Sequence, residues 1–169
     1  MRKIKVVVAD DHTILRQGIK ALLDNQEGIE VVGEAKDGRE AIKTIEELLP
    51  DVILMDIAMP GLNGLEATRR IKKKFPKVKV VVLTMHANEE YIFQILNAGA
   101  DGYLVKETAF QDLISAINAV HKGEAFMSPS ISKKVMTDYI QRAQGEEKVG
   151  FDTHFIELTN LSNHTSWRK

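Results

Sequence analysis

Cysteine is absent from the 169 residues, which excludes disulfides and thiolate metal centres and permits a reducing compartment without proving one. Charge of one sign is missing too. The 23 basic and 24 acidic residues leave a formal net charge of −1, so no whole-chain field draws the protein to nucleic acid or to an anionic membrane. No apolar run approaches the roughly 20 residues that cross a bilayer. The basic start Met1-Arg2-Lys3 leads into Val6–Ala9, but Asp10 and Asp11 stop that run far short of a signal-peptide core. These absences point to a cytoplasmic protein without a membrane partner. What is present, 44% hydrophobic and 28% charged residues, is the composition of a soluble globular chain. Its length suits one domain and an appendage better than two full domains.

Through about residue 122 the chain alternates five times between short β-branched runs and longer helical patterns. The strand-like runs are Ile4–Ala9, Glu30–Ala35, Val52–Met55, Val78–Leu83 and Gly102–Val105. Amphipathic stretches follow them, for instance Ile14, Leu15, Ile19, Leu22 and Leu23, and later Leu113, Ile114, Ile117 and Val120. Near-continuous apolar strands such as Lys79–Leu83 belong in a parallel sheet covered on both faces. The pattern predicts an α/β, flavodoxin-like doubly wound sandwich of five βα units. Thr13 and Asn88 are placed to cap helices, and Gly28, Gly99 and Gly123 fall just past helical patterns. Ser128-Pro129 opens one more helix carrying Ile131, Val135 and Tyr139 on a stripe, while residues 145–169 show no sustained period. The expected organisation is a domain over 1–125, a linker helix over 126–144 and an irregular tail over 145–169.

In an open α/β sheet the ligand crevice lies at the carboxyl ends of the strands, where strand order reverses. The first strand ends in Asp10-Asp11, the third in Asp56, the fourth in Thr84, and the fifth runs into Lys106. If the first and third strands are neighbours, their spacing of about 4.8 Å crowds three carboxylates into one crevice. Such crowding requires a proton or a cation, and hard oxygen ligands suit Mg²⁺, or Mn²⁺ in its place. Lys106 and Thr84 add an ammonium and a hydroxyl that would hold further anionic oxygens. A phosphoryl group on Asp56 satisfies all of these groups at once, with Asp56 as nucleophile and transfer governed by positioning and electrostatics.

The segment Val6-Val7-Val8-Ala9-Asp10-Asp11-His12, the loop Asp56-Ile57-Ala58-Met59-Pro60-Gly61-Leu62-Asn63-Gly64, Leu83-Thr84 and Gly99-Ala100-Asp101-Gly102-Tyr103-Leu104-Val105-Lys106 closely resemble the receiver domain of bacterial two-component response regulators. The resemblance implies a CheY-like sheet of order 2-1-3-4-5. It implies that Asp56 accepts a phosphoryl group from a sensor histidine kinase, and that Asp11, Asp56 and the Ala58 carbonyl ligate Mg²⁺ with Asp10 assisting through water. It also implies that Thr84 and Lys106 grip the phosphoryl oxygens and that Tyr103 is the switch aromatic that follows Thr84. Ala58 and His86 occupy positions that tune phosphoryl lifetime in the family, and a homodimer through receiver faces is among the partners expected. Glu107 stands where many receivers have proline after the lysine, and Met85 is expected to crowd the phosphoryl entrance.

Ala9-Asp10-Asp11-His12, Thr84-Met85-His86 and Val105-Lys106-Glu107 further resemble the NarL/FixJ subgroup, whose output is a LuxR-type helix-turn-helix. That output is not recognisable in the tail, so the expectation is a truncated or frame-altered regulator, with DNA as a partner only where a complete output domain exists. The role implied is transcription control by a protein that catalyses only its own phosphorylation and dephosphorylation. Two rivals remain: a stand-alone phosphorelay or protein-binding receiver, and a Mg²⁺-dependent aspartyl-phosphate phosphatase. The phosphatase is disfavoured because Ala58 replaces the second carboxylate that one such pattern needs. Arg69-Arg70, Lys72-Lys73-Lys74, Lys77 and Lys79 read as a solvated helix face rather than a nucleic-acid patch, and His12, His86 and His121 as too dispersed to ligate one zinc ion.

Overall fold

The computed structural model describes residues 2–85, 89–106 and 110–149. Strands and helices alternate: β1 (Ile4–Ala9), α1 (Thr13–Asp24), β2 (Ile29–Ala35), α2 (Gly38–Leu48), β3 (Val52–Asp56), α3 (Gly64–Lys74), β4 (Lys79–Thr84), α4 (Glu89–Asn97), β5 (Gly102–Val105), α5 (Phe110–His121), β6 (Phe126–Met127) and α6 (Pro129–Val149). All strand pairs are parallel, in the order β2-β1-β3-β4-β5-β6. The expected 2-1-3-4-5 order is therefore present, lengthened at one edge by β6. Two residues carry no period, so nothing in the sequence marked that strand. Phe126 and Met127 pair with Gly102 and Tyr103 because α5 returns the chain to that edge.

The central apolar strands β1, β3 and β4 are buried on both faces along most of their length, as their hydrophobicity requires, whereas the edge strand β2 is only half-buried. One core holds Val6, Val8, Leu54, Val81 and Leu104 against Leu23 of α1 and Ile117 and Val120 of α5. The opposite core holds Val7, Ile53, Met55, Val80, Val82 and Tyr103 against Ile45 of α2, Ile71 of α3, Ile92 and Ile95 of α4, and Ile131 of α6. No described helix is long and apolar enough to cross a membrane.

Helix ends follow local chemistry, with one correction. Asp37 and Asn63 cap α2 and α3 by accepting from the backbone N–H of Glu40 and Glu66. The N-cap of α1 is His12 and not Thr13, and its side chain makes no capping bond; Asn88 lies outside the described residues. Gly28, Gly99 and Gly123 all adopt positive φ, the conformation glycine supplies after a helix. Helix α6 begins at Pro129 and continues past Gln144 to Val149. Its start is tied to β5: Ser128 N–H donates to the Tyr103 carbonyl at 3.0 Å, and Val105 N–H donates to Ser128 Oγ at 3.2 Å. Part of the basic run is paired: Arg69 and Arg70 with Glu66, Lys74 with Glu46 and Lys72 with Asp101.

Candidate functional site

The β1–β3 pairing matches Ala9 with Met55, so the next residue on each strand, Asp10 and Asp56, emerges side by side at the carboxyl edge. The β3–β4 register sets Asp56 beside Leu83, and Thr84 then pairs with Val105, which precedes Lys106. Sheet register thus gathers residues that lie far apart in the chain. Lys106 N–H donates to the Thr84 carbonyl at 2.7 Å, which anchors the start of the lysine side chain. From there Nζ reaches Asp10 Oδ2 at 3.0 Å and Asp56 Oδ1 at 3.2 Å, with only 6% of the Lys106 side chain exposed.

Asp10 and Asp56 are each 1% exposed. Asp56 Oδ2 and Asp11 Oδ1 are enclosed without a hydrogen-bond partner, and Asp10 Oδ2 faces the lysine ammonium. One lysine cannot neutralise three carboxylates. Burial first, and then the neighbouring Asp10 charge, push the Asp56 carboxyl above its ordinary value, against the pull of Lys106 and of the Ala58 N–H. Ligand atoms of Asp10, Asp11, His12 and Asp56 all lie within 4.8 Å of one another. Oxygen donors at this spacing, two of them orphaned, fit a hard divalent cation. Ala58 follows Asp56 by two residues and its N–H points back to Asp56 Oδ1 at 3.4 Å.

Behind the carboxylates the backbone is braced. Asp10 N–H donates to the Ala35 carbonyl, and Arg16 Nη1 donates to the Asp10 carbonyl at 2.6 Å while its Nε reaches Glu34 Oε1 at 3.0 Å. Sequence reasoning missed Arg16, although its place on the first turns of α1, six residues after Asp10, brings it back over the strand end. It also gave no structural role to Gly64, where a Cβ would sit 2.1 Å from the Asp56 carbonyl oxygen. Only glycine lets α3 start so close to the Asp56 backbone.

Thr84 is 4% exposed at the end of β4. Tyr103, wholly buried in the neighbouring strand, has its phenol pushed up to about 12 by burial, with the Thr84 side chain pulling the other way. Met85, just past Thr84, is 55% exposed. His86 and Glu107 lie outside the described residues.

Residues 6–118 match the response regulator receiver domain family. The chain belongs to that family. The transcriptional regulatory protein DegU of Brevibacillus brevis is 39% identical over 156 residues, which cover 92% of this chain and 66% of DegU. The response regulator GacA of Pseudomonas aeruginosa is 40% identical over 141 residues, 83% of this chain and 66% of GacA. The receiver chain thus spans about two thirds of the length of these relatives. Among solved structures, a LuxR-family two-component response regulator from Aurantimonas sp. SI85-9A1 superposes with a TM-score of 0.78 at 33% identity, over 82% of this chain and 99% of that one. RcsB of Salmonella enterica serovar Typhimurium, solved on the promoter P1flhDC with the phosphomimetic BeF3-, gives 0.75 at 31% identity, over 83% and 70%. The chain is a two-component receiver of the DegU and GacA type and not a conventional enzyme.

Proposed function

We propose that this receiver takes a phosphoryl group onto Asp56 from the phosphohistidine of a sensor kinase and uses the resulting repacking to control an output, transcription in the intact regulator. The observation that carries this reading is the Asp56 carboxylate itself: 1% exposed, one oxygen on Lys106 and the other without a partner, beside two more carboxylates. In the transfer, an Asp56 oxygen forms the new P–O bond, the P–N bond to the kinase histidine breaks, and the imidazole leaves with a proton. Lys106 Nζ, already between Asp10 and Asp56, stays within reach of the incoming oxygens, and Thr84 offers its hydroxyl from the adjacent strand end.

A divalent cation, Mg²⁺ or Mn²⁺, would be held by Asp10, Asp11, Asp56 and the Ala58 carbonyl and would supply positive charge opposite the transferring group. Tyr103 is the residue placed to report the state of Thr84, being buried next to it on β5 and tied through its carbonyl to Ser128 at the head of α6. In this reading Ala58 offers no polar side chain to orient an attacking water, so the phosphoryl lifetime depends more on His86. The chemistry is confined to the protein's own phosphorylation and dephosphorylation, in the cytoplasm, with a homodimer through receiver faces as the activated form. DNA binding belongs to a complete output domain.

The test is labelling by a small phosphodonor such as phosphoramidate with Mg²⁺, followed by intact mass. Wild type should gain one phosphoryl group, Asp56→Asn none, and chelation should abolish the gain. Labelling that persists in Asp56→Asn refutes the assignment, and His86→Ala with an unchanged dephosphorylation rate refutes the role given to His86.

A further inference from the structure

The His12 side chain belongs to the carboxylate cluster. It occupies the N-cap of α1, yet its side chain makes no capping hydrogen bond. Its backbone N–H donates to Asp10 Oδ1, at 2.8 Å. The imidazole lies instead along the open side of the acidic cleft, with Nδ1 at 3.0 Å from Asp10 Oδ1 and 3.3 Å from Asp11 Oδ1, and 63% of the side chain exposed. Dispersal of the histidines argued against a shared zinc ion, and His121, in the last turn of α5, is not a member of this cluster. A single histidine beside three carboxylates is a different donor set.

The spacing is that of neighbouring ligands on one ion. Metal–ligand bonds of about 2.1 Å at right angles place adjacent donors about 3.0 Å apart. The two distances from Nδ1 match that separation. Asp11 Oδ1 and Asp56 Oδ2 are buried without a hydrogen-bond partner, and the first of them is the oxygen 3.3 Å from His12 Nδ1. Mg²⁺ takes oxygen ligands and keeps waters at its remaining positions, whereas imidazole nitrogen favours first-row transition dications.

We propose that His12 Nδ1 is an additional ligand of this pocket, beside Asp10, Asp11, Asp56 and the Ala58 carbonyl, and shifts its preference from Mg²⁺ toward a first-row transition dication, Mn²⁺ being the ion whose hard-oxygen tolerance suits the oxygen donors. The inference rests on the divalent-ion reading of the site given above. Coordination through Nδ1 requires the ring proton on Nε2. The exposure of the ring lets solvent accommodate that tautomer. In the tautomer with the proton on Nδ1, that N–H donates to Asp10 Oδ1 at 3.0 Å.

The experiment titrates Mg²⁺ and Mn²⁺ separately into the untagged full chain, into His12→Gln and His12→Asn, and into Asp11→Asn, by calorimetry. Pulsed electron paramagnetic resonance of bound Mn²⁺ reports any directly coordinated ¹⁴N. Wild type should show ¹⁴N modulation that both His12 variants lose. Their Mn²⁺ affinity should fall about tenfold while Mg²⁺ affinity changes less than about threefold, in line with the loss of one nitrogen donor. Asp11→Asn should lose both ions. Equal Mn²⁺-to-Mg²⁺ ratios in wild type and the His12 variants, with no ¹⁴N modulation, overturn the inference while leaving the acidic pocket intact. Undiminished binding of both ions in Asp11→Asn removes the pocket itself. The wild-type ¹⁴N signal stands as a readout even if a variant fails to fold, since its absence alone refutes the proposal.

Discussion

Gly64 offers a substitution whose sign separates two effects. At the first residue of α3, an added Cβ would lie 2.1 Å from the Asp56 carbonyl oxygen, 2.8 Å from Ile57 Cα and 2.9 Å from the Asp56 carbonyl carbon. Contacts below 3.0 Å are essentially never made by Cβ atoms, so α3 and the Asp56 backbone must part by 3.0 − 2.1, about 0.9 Å. The obstacle is backbone, which no rotamer change relieves. Helix propensity alone predicts the reverse, because alanine favours a helix over glycine by about 0.8–1 kcal/mol. Forced overpacking costs about 1–3 kcal/mol and wins here, so Gly64→Ala should destabilise the protein by about 1–2 kcal/mol in urea unfolding. The displaced group is the proposed nucleophile, and a shift of about 1 Å costs on the order of 100-fold in rate, read as Mg²⁺-dependent labelling by phosphoramidate. Gly18→Ala is the control: it sits within α1, a Cβ there meets nothing within 4 Å, and it should stabilise by about 0.5–1 kcal/mol with unchanged labelling. A Gly64→Ala protein as stable as wild type, labelled at the wild-type rate, would refute the close-approach reasoning.

Asp56→Asn should stabilise the metal-free protein at neutral pH. The folded carboxyl lies above its ordinary 3.8, so its contribution is fully present below that value and is lost as pH rises through the folded value, a loss asparagine escapes. The stability difference between variant and wild type should grow from acid to neutral pH in urea titrations, and shrink when Mg²⁺ is added; a pH-independent difference contradicts the assignment. Lys106→Met removes the cation between two carboxylates that are almost wholly buried, and should cost about 3–5 kcal/mol at neutral pH, partly recovered on acidification, measured by denaturant unfolding. Leu49, 61% exposed, ends α2 at φ 45, a left-handed conformation that costs a residue with a Cβ about 1–2 kcal/mol. Leu49→Gly should therefore raise the melting temperature slightly despite the entropy of glycine, and a lower one would show that its side chain contributes packing that outweighs the strain.

Strands Ile4–Ala9 and Gly102–Val105 were legible to the residue because their apolar runs end abruptly at Asp10 and Lys106. The carboxylates, Thr84 and Lys106 were legible for the same reason, as polar residues stationed where strands stop. His12 was legible as part of the Ala9-Asp10-Asp11-His12 signature but not as a neighbour of the carboxylates, since the 3.0 Å approach of its ring to Asp10 depends on a backbone turn and not on spacing. Arg16 and Gly64 act through the backbone carbonyls of Asp10 and Asp56, and contacts to backbone leave no pattern of residue types.

By itself the sequence determined the alternation of strand and helix, the doubly wound class and the set of polar residues at the strand ends. Those follow from periodicity and from the cost of burying polar groups, both properties of short segments. Tertiary structure decided which ends meet. Pairing of Ala9 with Met55 sets Asp10 against Asp56, pairing of Thr84 with Val105 delivers Lys106 to both, and the return of α5 adds β6 and lays α6 beside the Tyr103 strand. Register between strands distant in the chain is set by global packing, which no local window contains.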